Sequence, residues 1–307
     1  MHGLRRMAAL LMSALFCLSL CIPAGAEITP LPVDLSPGRP YDFARYGGVG
    51  YYEDPSLSVQ VFEDEIYGVP YMYAVVKIAD ASQLRTAFAY RYNSKYTASV
   101  MKMAEANNAV LAINADYHNF HDTGFIVRQG KVYRDRAYKG FDILMIDQNG
   151  DFHTLIETGK DGLNEWIAAH SEYTIVNSFN FGPVLIQDGQ RTREDFTEAS
   201  NSMEIRGHAR FARTAICQLD QPLTYLCLCC QGDQDCKGMG LTLNELYDCI
   251  VAIDDKLTDY QVVTAYNLDG GYSSTMALGG KKINWPENGV RREIQDIIYF
   301  ASAWTEE

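Results

Sequence analysis

The sequence predicts an α+β fold, with a mixed, largely antiparallel sheet and a few packed helices in a single domain. Short apolar runs are repeatedly separated by Asn-Gly, Asp-Gly or Gly-Gly pairs, which is the pattern of β-hairpins with tight turns. Few segments have the apolar spacing of a helix. The 307 residues are 47% hydrophobic and 21% charged, the balance of a folded globular protein. Many antiparallel strands with few helices define the α+β class.

The first 26 residues are predicted to form a signal peptide. Arg5 and Arg6 precede an apolar run from Met7 to Ile22, and Ala24-Gly25-Ala26 has the small residues of a cleavage site. The apolar run is short for a membrane span, so we expect none in the chain after cleavage. An uncleaved anchor is the alternative. The expected location is secreted, either extracellular or in the cell envelope.

The rest of the chain divides into two predicted segments. Residues 27–57 begin with a proline-rich stretch and are expected to run extended, and residues 58–307 are expected to form the domain. Strands are predicted at 58–62, 71–78 and 110–114, and hairpins at 128–133, 141–156, 184–190 and 276–283. Helices are predicted at 94–108, 164–170 and 243–257, the last with a capping box formed by Thr242 and Glu245.

The charge excludes one class of partner. The chain has 26 Lys+Arg and 39 Asp+Glu, a net charge of −13, and no broad basic stripe along the sequence. A protein this acidic repels the phosphate backbone of nucleic acids. We therefore expect no nucleic-acid partner.

Six cysteines follow the predicted cleavage site, and all lie in one stretch. They are Cys217, Cys227, Cys229, Cys230, Cys236 and Cys249. Disulfides are the default expectation for some cysteines of an exported protein. Cys230 and Cys236 flank a polar loop and are the candidate pair, while Cys227 and Cys229 would share one face of a strand. A zinc site is the alternative, although the stretch contains no Cys-x-x-Cys pair.

Two polar segments are candidate binding sites. Residues 118–121, His-Asn-Phe-His, together with Asp116 and Asp122, contain the ligand types of a metal site. A polar loop without a metal explains them better, because the zincin Glu is missing. A divalent cation therefore stays open, and no other cofactor is indicated. Residues 206–213 are the one local basic cluster, where guanidinium groups could bind an anion.

The most informative run is residues 266–276, which follows a predicted strand. Asn267 and Asp269 alternate and so share one face, and Gly270-Gly271 allows backbone N–H groups to approach a ligand. Hydroxyl groups at 273–275 add further donors. A glycine-bearing turn with exposed serines is the alternative, but it does not explain the shared face of the Asn and the Asp.

This run resembles the Asn-Leu-Asp-Gly-Gly motif of the phosphodiester glycosidase family, in its exopolysaccharide-related bacterial branch. Other blocks resemble the family in the same order, at residues 112–117, 123–124, 127–132, 181–186, 213–216, 238–246 and 286–297. The resemblance extends from Ile66 to the end of the chain. The chain departs from the family pattern at Cys217 and Tyr272, where glycine is usual, and at Gln231, where an aspartate is usual.

The resemblance implies a secreted hydrolase that cleaves a sugar 1-phosphodiester in a glycan, lipid or wall polymer, so that its partner is a phosphorylated carbohydrate. Cleavage of a glycosidic bond usually needs two carboxylates, and an acidic protein needs a cation to hold a phosphodiester. The expected catalytic residues are Asp269, Asp116 and Arg213. The expected substrate-binding residues are Asn114, Thr214, Asn267, Gly270, Gly271, Ser273 and Ser274.

Two alternatives remain from the sequence. The Gln231 substitution favours a non-hydrolytic, glycan-binding relative of the family. The retained Asp116, Arg213 and Asp269 favour the enzyme, because a binding protein has less reason to direct two carboxylates at an anionic ligand. The second alternative is a metal-dependent phosphodiesterase, which EDTA would inactivate.

Overall fold

The computed structural model describes residues 27–47, 50–119, 121–199, 205–232, 239–284 and 292–305. The predicted signal peptide and Cys236 lie outside these residues. The α-helices are α1 (Val100–Ala106), α2 (Lys160–Ala169) and α3 (Leu243–Asp254). The strands are β1 (Glu27–Ile28), β2 (Tyr46–Gly47), β3 (Tyr51–Asp54), β4 (Leu57–Ile66), β5 (Val69–Ile78), β6 (Leu84–Phe88), β7 (Ala109–Asn114), β8 (Gly124–Arg128), β9 (Lys131–Arg136), β10 (Ile143–Asp147), β11 (Phe152–Leu155), β12 (Ile175–Phe179), β13 (Val184–Gln187), β14 (Gln190–Arg191), β15 (Thr214–Leu219), β16 (Thr224–Cys230), β17 (Val262–Leu268), β18 (Met276–Leu278), β19 (Lys281–Lys282), β20 (Asp296–Ala301) and β21 (Trp304–Thr305).

Two antiparallel sheets form the body of the fold. The larger has nine strands in the order β14-β13-β17-β15-β16-β5-β4-β3-β2, and the smaller has five in the order β19-β18-β7-β20-β6. A three-stranded sheet, β11-β10-β12, and the β8-β9 hairpin lie beside them, and β1 pairs with β21. This arrangement confirms the predicted single-domain α+β fold.

The hydrophobic core lies between the two large sheets, and the helices cover their outer faces. Side chains alternate along β5, so that Ala74 and Val76 belong to the inner core while Tyr73 and Val75 pack on the outer side with α3. Helix α1 packs in the same way on the outer side of the five-stranded sheet. The result is four layers, helix, sheet, sheet and helix, in which both sheets are buried on two faces.

The local signals for turns and caps are confirmed, and the helix bounds differ. Gly279 and Gly280 have φ of +57° and +73°, which a tight hairpin turn requires. Helix α3 begins at the predicted capping box, in which Glu245 N donates to Thr242 Oγ1. Helix α1 is shorter than the predicted 94–108, because Ser99 caps its first turn by accepting from Lys102 N. Helix α2 spans 160–169, where 164–170 was expected.

The expected disulfide is not present at Cys230. Cys217, Cys227, Cys229, Cys230 and Cys249 are buried free thiols. Cys227 and Cys229 do share the inner face of β16, as predicted. Cys230 points to the opposite side, where its Sγ accepts from Arg213 N at 3.1 Å. Burial raises the pKa of the Cys230 thiol to about 12, so this thiol is protonated and unreactive near neutral pH.

Arg85 holds residues 32–36 of the N-terminal segment against the fold. Arg85 in β6 has no exposed surface, and its guanidinium donates to the carbonyl groups of Pro32, Asp34 and Ser36 at 2.8, 2.9 and 3.0 Å. Buried charges are retained when hydrogen bonds replace their hydration. Arg85 therefore fixes the path of residues 32–36. Within the described residues, no helix has the length and apolar character needed to cross a membrane.

Candidate active site

The predicted motif residues meet where strands of both large sheets end. Asp269 follows the last residue of β17, Asp116 lies two residues beyond β7, and Arg213 directly precedes β15. Strands β15 and β17 are neighbours in the nine-stranded sheet, with Thr214 opposite Leu268. Strand β7 belongs to the other sheet, so the packing of one sheet on the other brings the motifs together.

A buried polar network joins the two sheets at this point. Asn114 Nδ2 donates to the carbonyl oxygen of Asp269 at 2.6 Å, and its Oδ1 accepts from Thr214 Oγ1 at 2.9 Å. Ser274 Oγ lies 2.7 Å from Thr214 Oγ1 and donates to the carbonyl of Arg213 at 3.0 Å. All of these side chains are buried. Their polar groups bond to one another and to the main chain, an arrangement that holds the Asp269 loop in place.

Asn267 is similarly tied to the main chain. Its Nδ2 donates to the carbonyl of Gly182 at 2.6 Å, and the residue has no exposed surface. Its Oδ1 is buried without a hydrogen-bond partner among the described residues. Asn267 therefore connects the Asp269 loop to the Gly182-Pro183 turn, while one acceptor stays unused.

A pocket of about 220 Å³ opens beside these strand ends. It is lined by Tyr117, Phe181, Ile205, Arg206, Phe211, Arg213, Asp269, Gly270, Gly271 and Arg292. The lining combines three aromatic rings, three arginines and, among the residues that the structure describes, one carboxylate. Aromatic rings suit the flat apolar faces of sugars, and arginines suit phosphate oxygens.

Asp269 is the carboxylate of this pocket and is only 8% exposed. Burial raises the pKa of Asp269 to about 6, against the lowering effects of the Ser273 hydroxyl, the positive charge of Arg292 and the Gly270 amide. Desolvation disfavours the charged form of a carboxyl group. Asp269 therefore changes its charge close to neutral pH, which is where a catalytic carboxyl group can both take and give a proton.

The glycine loop is built by close packing of backbone on backbone. A Cβ atom at Gly270 would lie 2.5 Å from the carbonyl oxygen of Ala212, so no larger residue fits there. Gly271 has φ of +59°, and its N–H donates to the same oxygen at 2.7 Å. The hydroxyl of Ser273 is buried next to the Asp269 carboxylate, whose pKa it lowers. The glycine pair thus places the Asp269 carboxylate, with the Ser273 hydroxyl beside it.

Arg213 faces the pocket with most of its hydrogen bonds already used. Its Nε donates to the carbonyl of Leu241, Nη1 to that of Ile205, and Nη2 to those of Arg206 and Ala209, at 2.7–3.0 Å. Four of its five N–H groups are thereby committed. Burial lowers the pKa of Arg213 to about 10, which leaves the group charged at neutral pH. Arg213 supplies positive charge to the pocket, but with four N–H groups bonded to carbonyls it cannot bind a phosphate through two parallel hydrogen bonds.

Arg292 offers a more accessible cation. It is exposed at the pocket wall, and its guanidinium lies 5.5 Å from the centre of the Tyr117 ring. Asp269 and Arg292 line the same pocket. Burial raises the pKa of Asp269, and the positive charge of Arg292 partly offsets this rise. An anion bound near Asp269 would therefore meet Arg292.

Asp116 lies behind the pocket in a buried ionic cluster. Arg128 Nη2 donates to Asp116 Oδ1 at 2.6 Å and to Asp296 Oδ2 at 2.7 Å, and Asn180 N donates to the second oxygen of Asp116 at 2.9 Å. His118 Nδ1 lies 3.3 Å from Asp296 Oδ2. Burial would raise the pKa of Asp296, but neighbouring His118 and Arg128 outweigh it and hold that pKa below its usual value. The second expected catalytic carboxylate is thus ion-paired and outside the pocket lining.

The same cluster contains the ligand types of a metal site. Ligand atoms of Asp116, His118 and Asp296 all lie within 4.8 Å of one another. The guanidinium of Arg128 already lies within 2.7 Å of both carboxylates. A divalent cation would have to share them with that charge, and the repulsion is strong at low dielectric. The donor set therefore fits an ionic cluster better than a metal centre.

Asp296 and Arg128 were not identified from the sequence. Each stands at one end of an apolar strand, Asp296 at the first residue of β20 and Arg128 at the last of β8. A charged residue in a strand that is otherwise buried is rare without a partner. That signal was present, but the sequence does not show which charges pair.

Comparison with known proteins agrees with this fold. A family model described as phosphodiester glycosidase matches residues 107–301, more than half of the chain. The structure is similar to the catalytic domain of zebrafish N-acetylglucosamine-1-phosphodiester alpha-N-acetylglucosaminidase, auto-inhibited by pro-peptide, with a TM-score of 0.61 and 17% identity over 88% of this chain and 95% of that one. It is also similar to a hypothetical protein from Synechocystis, with a TM-score of 0.51 and 17% identity over 82% of this chain and 62% of that one. No curated protein sequence matches the chain.

Proposed function

The chain belongs to the phosphodiester glycosidase family, and we propose that it is a hydrolase that cleaves a sugar 1-phosphodiester, with Asp269 as its catalytic carboxylate. The observation that carries the proposal is the pocket in which Asp269 lies among arginines and aromatic rings. The rings match a sugar, and the arginines match the single negative charge of a phosphodiester. The predicted signal peptide supports action outside the cytoplasm.

We assign Asp269 the role of general base. The leaving group is a phosphate monoester, which is a weak base and departs without protonation. The group that such a reaction needs is one that activates water, and this group must be ionised. A water oxygen then bonds to C1 of the sugar, the C1–O bond breaks, the phosphate monoester takes the electron pair, and Asp269 takes the proton of the water.

Arg292 and Arg206 are the proposed contacts of the phosphodiester. Both lie in the pocket lining, and both are exposed. Arg213 adds positive charge from a fixed position, and it also holds residues 205–209 by its hydrogen bonds to the carbonyls of Ile205, Arg206 and Ala209. Loss of Arg213 should therefore affect both the field in the pocket and the shape of its wall.

Asn114, Thr214, Asn267 and Ser274 are proposed to position the Asp269 loop. Their contacts with the main chain and with each other support this role. Ser273, Gly270 and Gly271 remain the proposed neighbours of the bound substrate, because the two glycines line the pocket and the Ser273 hydroxyl lies beside the Asp269 carboxylate. The buried Asp116 is proposed to act through the placement of its neighbours.

The test uses protein that begins at Glu27 and a methyl GlcNAc-1-phosphodiester, with release of reducing sugar as the readout. Wild type, Asp269→Asn and the exposed control Asp259→Asn are compared, each with and without EDTA. We expect wild type and the control to release sugar and Asp269→Asn to be about 10³-fold slower or worse, the usual scale for an essential catalytic group. A base with a pKa of about 6 predicts that kcat/KM rises with pH through about 6 and then levels off.

Other outcomes identify the alternatives. Full activity in Asp269→Asn refutes the assigned residue, and kcat/KM that falls above pH 6 makes Asp269 the general acid. Hydrolysis in H₂¹⁸O should place the label in the sugar, whereas label in the phosphate means P–O cleavage. Loss of activity in EDTA indicates the metal-dependent phosphodiesterase. Binding without release across a panel of sugar phosphodiesters indicates the glycan-binding relative.

A further inference from the structure

A cluster of tyrosines and cations lies on the surface beside the pocket. It is formed by the loop between β6 and α1 together with β9. Its members, here called the basic aromatic face, are Tyr90, Arg91, Lys95, Tyr96, Lys131 and Tyr133. Each cation lies near a ring, with Arg91 5.9 Å from Tyr90, Lys95 5.8 Å from Tyr96 and Lys131 5.1 Å from Tyr133.

The rings of this face form two pairs. Tyr90 and Tyr96 make an edge contact at 5.7 Å and are 68% and 62% exposed. Tyr92, from the same loop, lies 4.9 Å from Tyr133 of β9 and so joins the loop to the hairpin. Exposed tyrosines placed together in this way present flat surfaces to which sugar rings can stack.

The cations of the face are available for an anion. Arg91, Lys95 and Lys131 are exposed, and none forms an ion pair within the ranges that the structure describes. The neighbouring carboxylates have other partners, since Asp135 pairs with Lys160 at 2.9 Å and Glu293 accepts from Thr97 at 3.2 Å. An anion that binds here therefore gains attraction without breaking an existing pair.

The charge of this region is opposite to that of the whole chain. Residues 85–139 contain nine Lys or Arg and four Asp or Glu, of which Arg85, Arg128 and Asp116 are buried, so the remaining charges sum to +4 in a chain of net charge −13. The cations of the face do not form a local cluster in the sequence, as residues 206–213 do, because they are spread over about forty residues and are brought together by folding. A local positive surface on an acidic protein concentrates anions at that place.

The loop of the face is hydrogen-bonded to segments that form the pocket wall. Ala98, near the end of the loop, exchanges backbone hydrogen bonds with Ile294 at 2.8 and 3.0 Å, and Arg292 of the pocket wall lies two residues before Ile294. Asn119 Nδ2 donates to the carbonyl of Ser94 at 3.2 Å, which ties the loop to the segment that carries Tyr117. A chain that leaves the pocket past Arg292 would therefore run directly onto the face.

We propose that the basic aromatic face binds the continuing chain of an anionic glycan polymer that carries repeated phosphodiesters, while one linkage of that polymer occupies the pocket. The proposal rests on the proposed function and names its substrate class. Separate cations match separate phosphates, tyrosine rings match the intervening sugars, and continuity with Arg292 places the polymer in line with Asp269. A single small phosphodiester would reach the pocket alone and would not contact the face.

The test compares two substrates that have the same scissile linkage, namely a polymer of repeating GlcNAc-1-phosphate units and methyl GlcNAc-1-phosphodiester. The variant is Arg91→Gln/Lys95→Gln, and the charge-matched control is Lys256→Gln/Lys281→Gln, which removes two exposed cations elsewhere. We expect the variant to lower kcat/KM for the polymer about tenfold and for the methyl diester less than about twofold, with a weaker salt dependence. The control should leave both values unchanged. An equal fall on both substrates, or no fall on the polymer, overturns the proposal.

Binding separates this proposal from the proposed function. Calorimetry with the same polymer should show weaker binding for Arg91→Gln/Lys95→Gln in an Asp269→Asn background, where no cleavage interferes. If wild type cleaves neither substrate but the variant binds the polymer more weakly, the hydrolase proposal is wrong and polymer binding by the face is supported. If the variant binds the polymer as tightly as its parent, the proposal that the face binds the polymer is wrong, whatever the activity. Co-sedimentation with phosphatidylglycerol vesicles tests whether the face binds a membrane instead. If Arg91→Gln/Lys95→Gln loses vesicle binding but keeps polymer binding, the face binds a membrane and the proposal is wrong.

Discussion

Replacement of Asp269 by asparagine should stabilise the protein while it abolishes activity. The pKa of Asp269 is raised to about 6 by burial, against an ordinary value of 3.8, and this difference corresponds to about 3 kcal/mol of unfolding free energy. The folded state disfavours the ionised carboxylate by that amount. A neutral asparagine of similar shape removes the penalty, so the expected gain is at most about 3 kcal/mol.

The pH dependence follows from the sign of this shift. Well below pH 3.8 the carboxyl group is protonated in both states, and it contributes no difference. As pH rises from 4 towards 6, the unfolded chain ionises first, so the unfolding free energy of the wild type falls. Above about 6 both states are ionised and the full penalty remains. The stability gap between variant and wild type should therefore open between pH 4 and 6 and stay constant above that range.

The assay is urea unfolding of wild type, Asp269→Asn and Asp259→Asn at each pH unit from 4 to 8, with midpoints and slopes fitted together. Asp259 is exposed and outside the pocket, so its replacement controls for the loss of one negative charge. A gap that is the same at pH 4 and pH 8, or a wild type that is more stable than Asp269→Asn at pH 8, would refute the account of Asp269 as a carboxyl group held in an unfavourable place.

Two further predictions concern buried arginines. Arg128→Met should lower the unfolding free energy by about 3–5 kcal/mol near neutral pH, because it leaves the carboxylates of Asp116 and Asp296 buried without a cation. Chemical denaturation measures this loss, and the double variant Arg128→Met/Asp296→Asn should recover part of it. If the unfolding free energy of Arg128→Met lies within about 1 kcal/mol of the wild-type value, the ionic cluster does not stabilise the fold as described. Arg85→Met should increase hydrogen exchange and proteolysis in residues 29–38 through loss of its three carbonyl contacts, with Lys281→Gln as the exposed control. Unchanged exchange there would mean that other contacts hold the segment.

The local features of this protein could be predicted because their causes lie within a few residues. The Gly279-Gly280 turn needs positive φ at both positions, and the capping box of α3 joins Thr242 to Glu245. Alternation of apolar residues placed the strands, and paired glycines after Asp269 marked the pocket loop. The family was also recognised from its motifs, since their order along the chain is itself a sequence property.

The partners of buried charges could not be predicted in the same way. Arg213 was expected to grip a phosphate, yet its guanidinium donates to carbonyls 4 to 28 residues away along the chain. Arg128 pairs with Asp296, 168 residues away, because β8 ends where β20 begins in the fold. Which donor meets which acceptor depends on how the two sheets pack, and no local pattern contains that information.

The sequence by itself determined the α+β class, the turns, the capping box of α3, the family and the residues of the Asp269 loop. Only the tertiary structure decided that Asp269 reaches the pocket while Asp116 is withdrawn into an ionic cluster, and that scattered cations form one face beside Arg292. The physical reason is the separation along the chain between the residues that interact. Backbone conformation follows from neighbouring residues, whereas burial, charge pairing and a raised pKa follow from contacts between strands that are far apart in the chain.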